Sequence, residues 1–229
     1  MENARNTVAA ITDNPAAAVE YKTSVVTNSG DYYVFDSNKD ISYVNTRNGN
    51  IERIDYYSEH PEKSLTVSVS SDKARSIAES YAVAHYQNFT KTNMQLVTSD
   101  LVDHHIAKEY LFIWKQTIQG IDTPNRVIVS VDPASGKVLS YMGISLDITV
   151  PLNPVVTKEA ALKIAGKQFP SVVPVKTEAT LSVDYPVKDE QKLIWVVEIQ
   201  GNPSDGIMQG GFVAVDAVSG EVLLTSPYA

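Results

Sequence analysis

The stretch Phe212-Val-Ala-Val-Asp216-Ala-Val-Ser-Gly220-Glu-Val222 decides the fold, because the chain writes it three times. The second writing is Val127-Ile-Val-Ser-Val-Asp132-Pro-Ala-Ser-Gly136-Lys-Val138, and the first is Ile41-Ser-Tyr-Val-Asn45-Thr-Arg-Asn-Gly49-Asn-Ile51. Each copy has an alternating strand, an Asn or Asp, a Gly four positions later, and a second apolar strand start. Asn45, Asp132 and Asp216 are the residue types that start a tight turn by accepting hydrogen bonds from the N–H groups just ahead. Gly49, Gly136 and Gly220 stand where the chain needs a positive φ before the return strand, which Gly takes without a Cβ clash. These six residues read as structural turn residues, and the chain as a small array of related units.

Composition limits the rest. The 229 residues are 43% hydrophobic and 20% charged, which is the balance of a packed globular protein. The net charge of −8 argues against a nucleic-acid partner and against an anionic membrane surface. With no cysteine, disulfides, zinc–thiolate sites and thiol nucleophiles are excluded. No apolar run reaches the length of a membrane-spanning helix, so no direct membrane insertion by this chain is expected. Met1 is followed by Glu-Asn-Ala-Arg-Asn with no apolar leader core, and the expectation is a leader lying upstream of these residues.

Working outward from the hairpins gives three stretches. Residues 1–63 form a β-rich partial unit behind a weak, polar, Ala-rich helix, with His60-Pro61-Glu62-Lys63 as its boundary. Residues 64–150 open on a helix capped by Ser70 or Ser71, with Asp72 in its first turn and Ala74, Ile77, Ala78, Tyr81 and Ala82 at helical spacing. Residues 151–229 repeat that pattern: Thr157 caps, Glu159 replaces Asp72, and Ala161, Ile164 and Ala165 align with Ala74, Ile77 and Ala78. Phe112-Ile113-Trp114 and Leu193-Ile194-Trp195 fall in the same strand of each full unit, which makes both tryptophans core anchors. Leu146–Pro154, with two prolines and no period, reads as a linker. The expected fold is α+β: tandem units of one helix packed on a small antiparallel sheet, each closing with a β-hairpin.

Those residues carry a resemblance. A capped Ala-x-x-Ile-Ala helix, an aromatic-bearing strand and Val-x-Val-Asp-x-x-Ser-Gly-x-Val together resemble the PepSY domain of peptidase propeptides and YpeB-like proteins. The third unit matches best, through Glu159, Ala161, Ile164, Ala165, Trp195, Val213, Val215, Asp216, Gly220 and Val222. The second is close, and the first shares only the closing strands. The resemblance implies an extracytoplasmic location, secreted or associated with the cell envelope, and a role in restraining or assisting peptidases. It brings no catalytic residues and no cofactor. With no peptidase domain read after the last hairpin, the expectation is that a protease is restrained in trans.

The sequence carries no complete motif of known chemistry. No His-Glu-x-x-His occurs, and the adjacent His104 and His105 would face opposite sides of a strand, which chelates poorly. Asp36-Ser-Asn-Lys-Asp40 imitates the start of a calcium loop but has Ile41 where the loop needs Gly and Arg47 where it needs Glu. No nucleophile elbow, phosphate loop or dinucleotide fingerprint is present. Catalytic, metal and cofactor-binding residues are therefore all expected to be none. One loop differs between the units, Gly201 to Gly211, and its Gly206, Ile207, Met208 and Gln209 are the candidate binding residues. The expected function is a non-enzymatic extracytoplasmic protein that binds or inhibits a peptidase in trans, through a sheet edge or this loop. The alternative is a structural or sensing module of the cell envelope.

Overall fold

The computed structural model describes residues 1–57, 65–204 and 206–228. The boundary read at His60–Lys63 lies outside the described residues. Internal contacts divide the chain into two compact units: Met1–Thr117 with Pro124–Leu146, and Ile118–Thr123 with Asp147–Ala229.

The first unit opens on helix α1 (Glu2–Ile11), followed by strands β1 (Val19–Val26), β2 (Asp31–Ser37), β3 (Asp40–Asn45) and β4 (Ile51–Asp55). Helix α2 (Ser71–His85) comes next, then β5 (Met94–Asp103), β6 (Lys108–Ile118), β7 (Ile121–Val131) and β8 (Val138–Ile144). β2 and β3 meet through Asn38 and Lys39, both at positive φ, which is the two-residue hairpin that matches strand twist. That turn is what the imitation of a calcium loop becomes, with the Lys39 N–H donating to Asp36 Oδ1 at 2.9 Å. α1 buries Val8 against Phe35, Val44 and Ile54. On α2 the buried face is Ala74, Ala78 and Ala82, one residue per turn, so small side chains let the helix lie close to Phe112, Trp114, Val127 and Val129.

The second unit carries α3 (Lys158–Gly166), β9 (Pro174–Val187), β10 (Glu190–Gly201), β11 (Gly210–Asp216) and β12 (Val222–Pro227). Ala161 and Ala165 repeat the alanine face over Trp195, Val197, Val213 and Val215. The Trp195 indole N–H donates to the Val156 carbonyl at 2.8 Å, so this buried ring has its polar end satisfied. The residues read as a linker are fastened to this unit. The N–H groups of Thr149 and Val150 donate to the Gln191 side chain, whose own amide donates back to the Asp147 carbonyl.

Both long helices begin on a side-chain cap: Ser70 Oγ accepts from the Lys73 N–H and Thr157 Oγ1 from the Ala160 N–H. Thr157→Ala is expected to cost about 1 kcal/mol, measured as a shift in the urea midpoint with the slope unchanged.

The tandem helix-on-small-sheet architecture is overturned. Among the described residues twelve strands link into one mixed sheet, with three α-helices, 48% strand and 17% helix. The closing strands of the first two hairpins do not end in free edges. β4 takes β8 as its second neighbour through Arg53↔Met142, Ile54↔Tyr141 and Asp55↔Ser140. β7 takes β9 through a parallel bridge, Asp122↔Ser182. A strand edge is a row of unpaired backbone groups, and here the next strand satisfies it. Among the described residues three edges stay open, at β1, β5 and β12.

Candidate functional site

The three hairpins are nearly superposable in their hydrogen bonds. Gly49, Gly136 and Gly220 donate to the carbonyls of Asn45, Asp132 and Asp216 at 2.8–2.9 Å, with φ between +73 and +79. The N–H groups of Asn45, Asp132 and Asp216 in turn donate to Asn50, Lys137 and Glu221. Their side chains accept from the turn: Asn45 from Arg47, Asp132 from Ala134 and Ser135, Asp216 from Val218 and Ser219. All six residues thus sit in the turn framework, and none meets a cluster of metal-type ligands among the described residues.

Each hairpin also carries a bulge just after its turn. The register slips between Tyr43 and Val44, between Ser130 and Val131, and between Ala214 and Val215, leaving Glu52, Leu139 and Leu223 without a direct partner across the ladder. Two of the three bulged residues are leucine, so the architecture itself has no need of a carboxylate there. Glu52 is 4% exposed. Its Oε2 accepts from the Tyr32 hydroxyl at 2.8 Å and its Oε1 from Asn45 Nδ2 at 2.8 Å. The Asn45 amide is needed for the second bond; an Asp there, as in the other two hairpins, would set two carboxylates against each other. No Lys, Arg or His pairs with Glu52 among the described residues. Reading the stretch from Ile51 as a plain return strand missed this group. The signal was in the hairpin alignment: Asn for Asp at the turn start, and Glu for Leu after the turn.

Burial pushes the Glu52 carboxyl above the ordinary glutamate value, against the downward pull of the Tyr32 and Asn45 hydrogen bonds. Such a group binds its proton more tightly folded than unfolded. Its contribution to stability is therefore greatest below the unfolded value near 4.5 and is lost as pH rises through the folded value. Glu52→Gln can still accept from Asn45 through its oxygen and donate to the Tyr32 hydroxyl through its NH2, and it removes that slope. The variant is expected to gain on the parent protein as pH rises from about 4.5 to neutrality, read from urea midpoints across that range. Identical pH dependence of the two proteins is the contrary result.

Glu52 lines a cavity of about 200 Å³ whose walls include Asn50, His85, Tyr86, Tyr141 and Ser145. Tyr141 is 2% exposed, with its hydroxyl against Gly143. That hydroxyl fills the space where a side chain at Gly143, another wall residue, would begin. His85 stacks on Tyr81 with ring centroids 4.1 Å apart, and burial lowers its pKa. Glu52 also lines a second cavity, of about 350 Å³, whose walls include Arg53 and Arg126.

The candidate loop residues lie in the second unit. Ser204 and Ile207 exchange backbone hydrogen bonds at 2.9 Å, forming a small closed turn with Gly206 at φ +80. Ile207 is 53% exposed, the Gln209 amide donates to its carbonyl, and Met208 Sδ accepts from Gln200 Nε2. The loop joins β10 to β11, and β12 pairs with β11 alone. The Tyr228 N–H donates to the Gly210 carbonyl, and an antiparallel ladder alternates, so Thr225 and Pro227 turn their backbone groups to the open side. β12 carries no charged residue, whereas β1 carries Glu20 and Lys22 and β5 carries Asp100 and Asp103. It is the least protected edge. His104 and His105 lie in the turn before β6, not within a strand, and His104 meets Glu109 at 3.1 Å.

Residues 7–145 match the family model described as "YcdB, YcdC repeated domain", and residues 155–225 match that described as "Peptidase propeptide and YPEB domain". No curated protein matches the chain. Among solved structures, the Bacillus megaterium YpeB C-terminal domain is similar over 99% of this chain and 96% of its own, at 12% identity and a TM-score of 0.46. Domains of the PepSY and YpeB kind are generally non-catalytic, propeptide-like modules and are typically extracytoplasmic. No helix among the described residues is long and apolar enough to cross a membrane.

Proposed function

Because this chain belongs to the YcdB, YcdC repeated-domain family and carries a PepSY segment at residues 155–225, we propose that it is a non-enzymatic extracytoplasmic protein that binds a peptidase in trans and restrains it. The observation that carries the reading is the position of the peptidase-propeptide match, which includes most of the open, uncharged strand β12 and the loop holding Gly206, Ile207, Met208 and Gln209. An extended segment of the partner adds to the sheet at that edge, its backbone meeting Thr225 and Pro227. Ile207, exposed in the loop that joins β10 to β11, supplies apolar contact.

The test is a titration of the full chain against a thermolysin-like metallopeptidase and a serine protease, following substrate cleavage. Saturable inhibition of the metallopeptidase, with the protein left uncut, is the expected result. Thr225→Pro removes an outward-facing N–H without touching the ladder to β11, and should weaken inhibition while leaving the melting temperature nearly unchanged. Inhibition of neither enzyme would overturn the reading and move the weight to a structural module of the cell envelope.

A further inference from the structure

The Glu52 carboxylate is buried, is unpaired by any described cation, and stands where the two sister hairpins place leucine. A buried ionised group held by neutral donors alone is costly, and a cation drawn into contact with it recovers much of that cost. Beside it the buried Tyr141 stands in the wall of the same cavity. A buried carboxylate without a counter-charge, on a cavity walled by Tyr86 and Tyr141, calls for a cationic occupant. We propose that the cavity formed by Asn50, Glu52, His85, Tyr86, Tyr141 and Ser145 is a binding site for a primary ammonium group.

The chemistry of the walls selects this class. One carboxylate matches one positive charge. The described residues hold no group of three metal-type ligands, which argues against a divalent ion. An ammonium brings three N–H donors. Glu52, the Tyr141 hydroxyl and the Ser145 hydroxyl are acceptors for them, and the Tyr86 and Tyr141 rings favour a cation against their faces. The second cavity that Glu52 lines is barred to a cation by Arg53 and Arg126. Burial keeps His85 neutral at pH 7, so it does not oppose the charge. Acidification protonates both Glu52 and His85, and each event weakens binding. The ammonium comes either from a lysine side chain or from a polypeptide N-terminus.

The experiment is calorimetric titration of the full chain with n-butylammonium at pH 7, with n-butanol as the uncharged control. Saturable binding of the amine and none of the alcohol is expected, with affinity falling as pH is lowered towards 4.5. Glu52→Gln should weaken binding by about tenfold or more. The pair Asn45→Asp with Glu52→Leu rewrites the first hairpin in the pattern of the other two. It should melt as high as the parent protein and bind no amine. Nα-acetyl-lysine amide and glycinamide then distinguish the two sources, the tighter of them naming the group the site receives. Absence of butylammonium binding, equal binding of butanol, or full binding by the Glu52→Gln variant overturns the proposal.

Discussion

Gly210→Ala is expected to cost on the order of 4 kcal/mol or to prevent folding of the second unit altogether. Gly210 has φ +109, and a Cβ there would run into the carbonyl of Ile199 on the neighbouring strand. That carbonyl belongs to the β10–β11 ladder, where Ile199 lies opposite Gly211 and Gln200 opposite Gly210. Backbone cannot give way as a side chain does, so the ladder must open, and β12 loses its only partner strand with it. Gly206→Ala is the matched control. Its φ is +80, but nothing lies within 4 Å of the added methyl, so only the left-handed penalty of about 1 kcal/mol applies. Urea denaturation of both variants checks the contrast. A Gly210→Ala protein as stable as the Gly206→Ala protein would show that the strands part here without cost.

Phe112→Ala is expected to lose about 3–5 kcal/mol. Phe112 is fully buried in the cluster under α2, stacked against Tyr110 at 6.3 Å and tilted on Trp114 at 6.1 Å. Protein interiors are close-packed, so the neighbouring rings cannot collapse fully into the space left behind. Phe212 offers the comparison. It is 42% exposed and meets the Tyr228 ring edge-on at 5.6 Å, so Phe212→Ala should cost about 1 kcal/mol. Thermal melts that place the two variants together would contradict the assignment of the core to the α2 cluster.

What was legible in the sequence was local. Ser70 and Thr157 announce their helices because a cap needs only a hydroxyl three residues ahead of a donor. The three turns announce themselves because each is complete within a few residues. The sheet was not legible. Joining β4 to β8 sets Ile54 opposite Tyr141, residues far apart in the chain, and nothing in either strand names the other. An alternating strand records which face it buries, not which strand lies beside it. Leu146–Pro154 looked like a free linker for the same reason: its hold on Gln191 depends on a side chain some forty residues away. Glu52 was hidden because a carboxylate in an alternating strand reads as solvated unless its neighbours across the hairpin are known. Only by setting Glu52 beside Leu139 and Leu223 does it stand out.

The second unit is not one continuous piece of chain. It runs from Asp147 onward but also includes Ile118–Thr123, and Ile121 from that short piece is buried among Ala161, Val183 and Trp195. A gene fragment beginning after the last residue of β8 therefore encodes a body with a missing part. Recombination at the Leu146–Pro154 stretch would hand its recipient a core with an unfilled place where Ile121 belongs. The two units are thus bound to be inherited together, and a working stand-alone version of the second would have to carry the β6–β7 turn along as a graft.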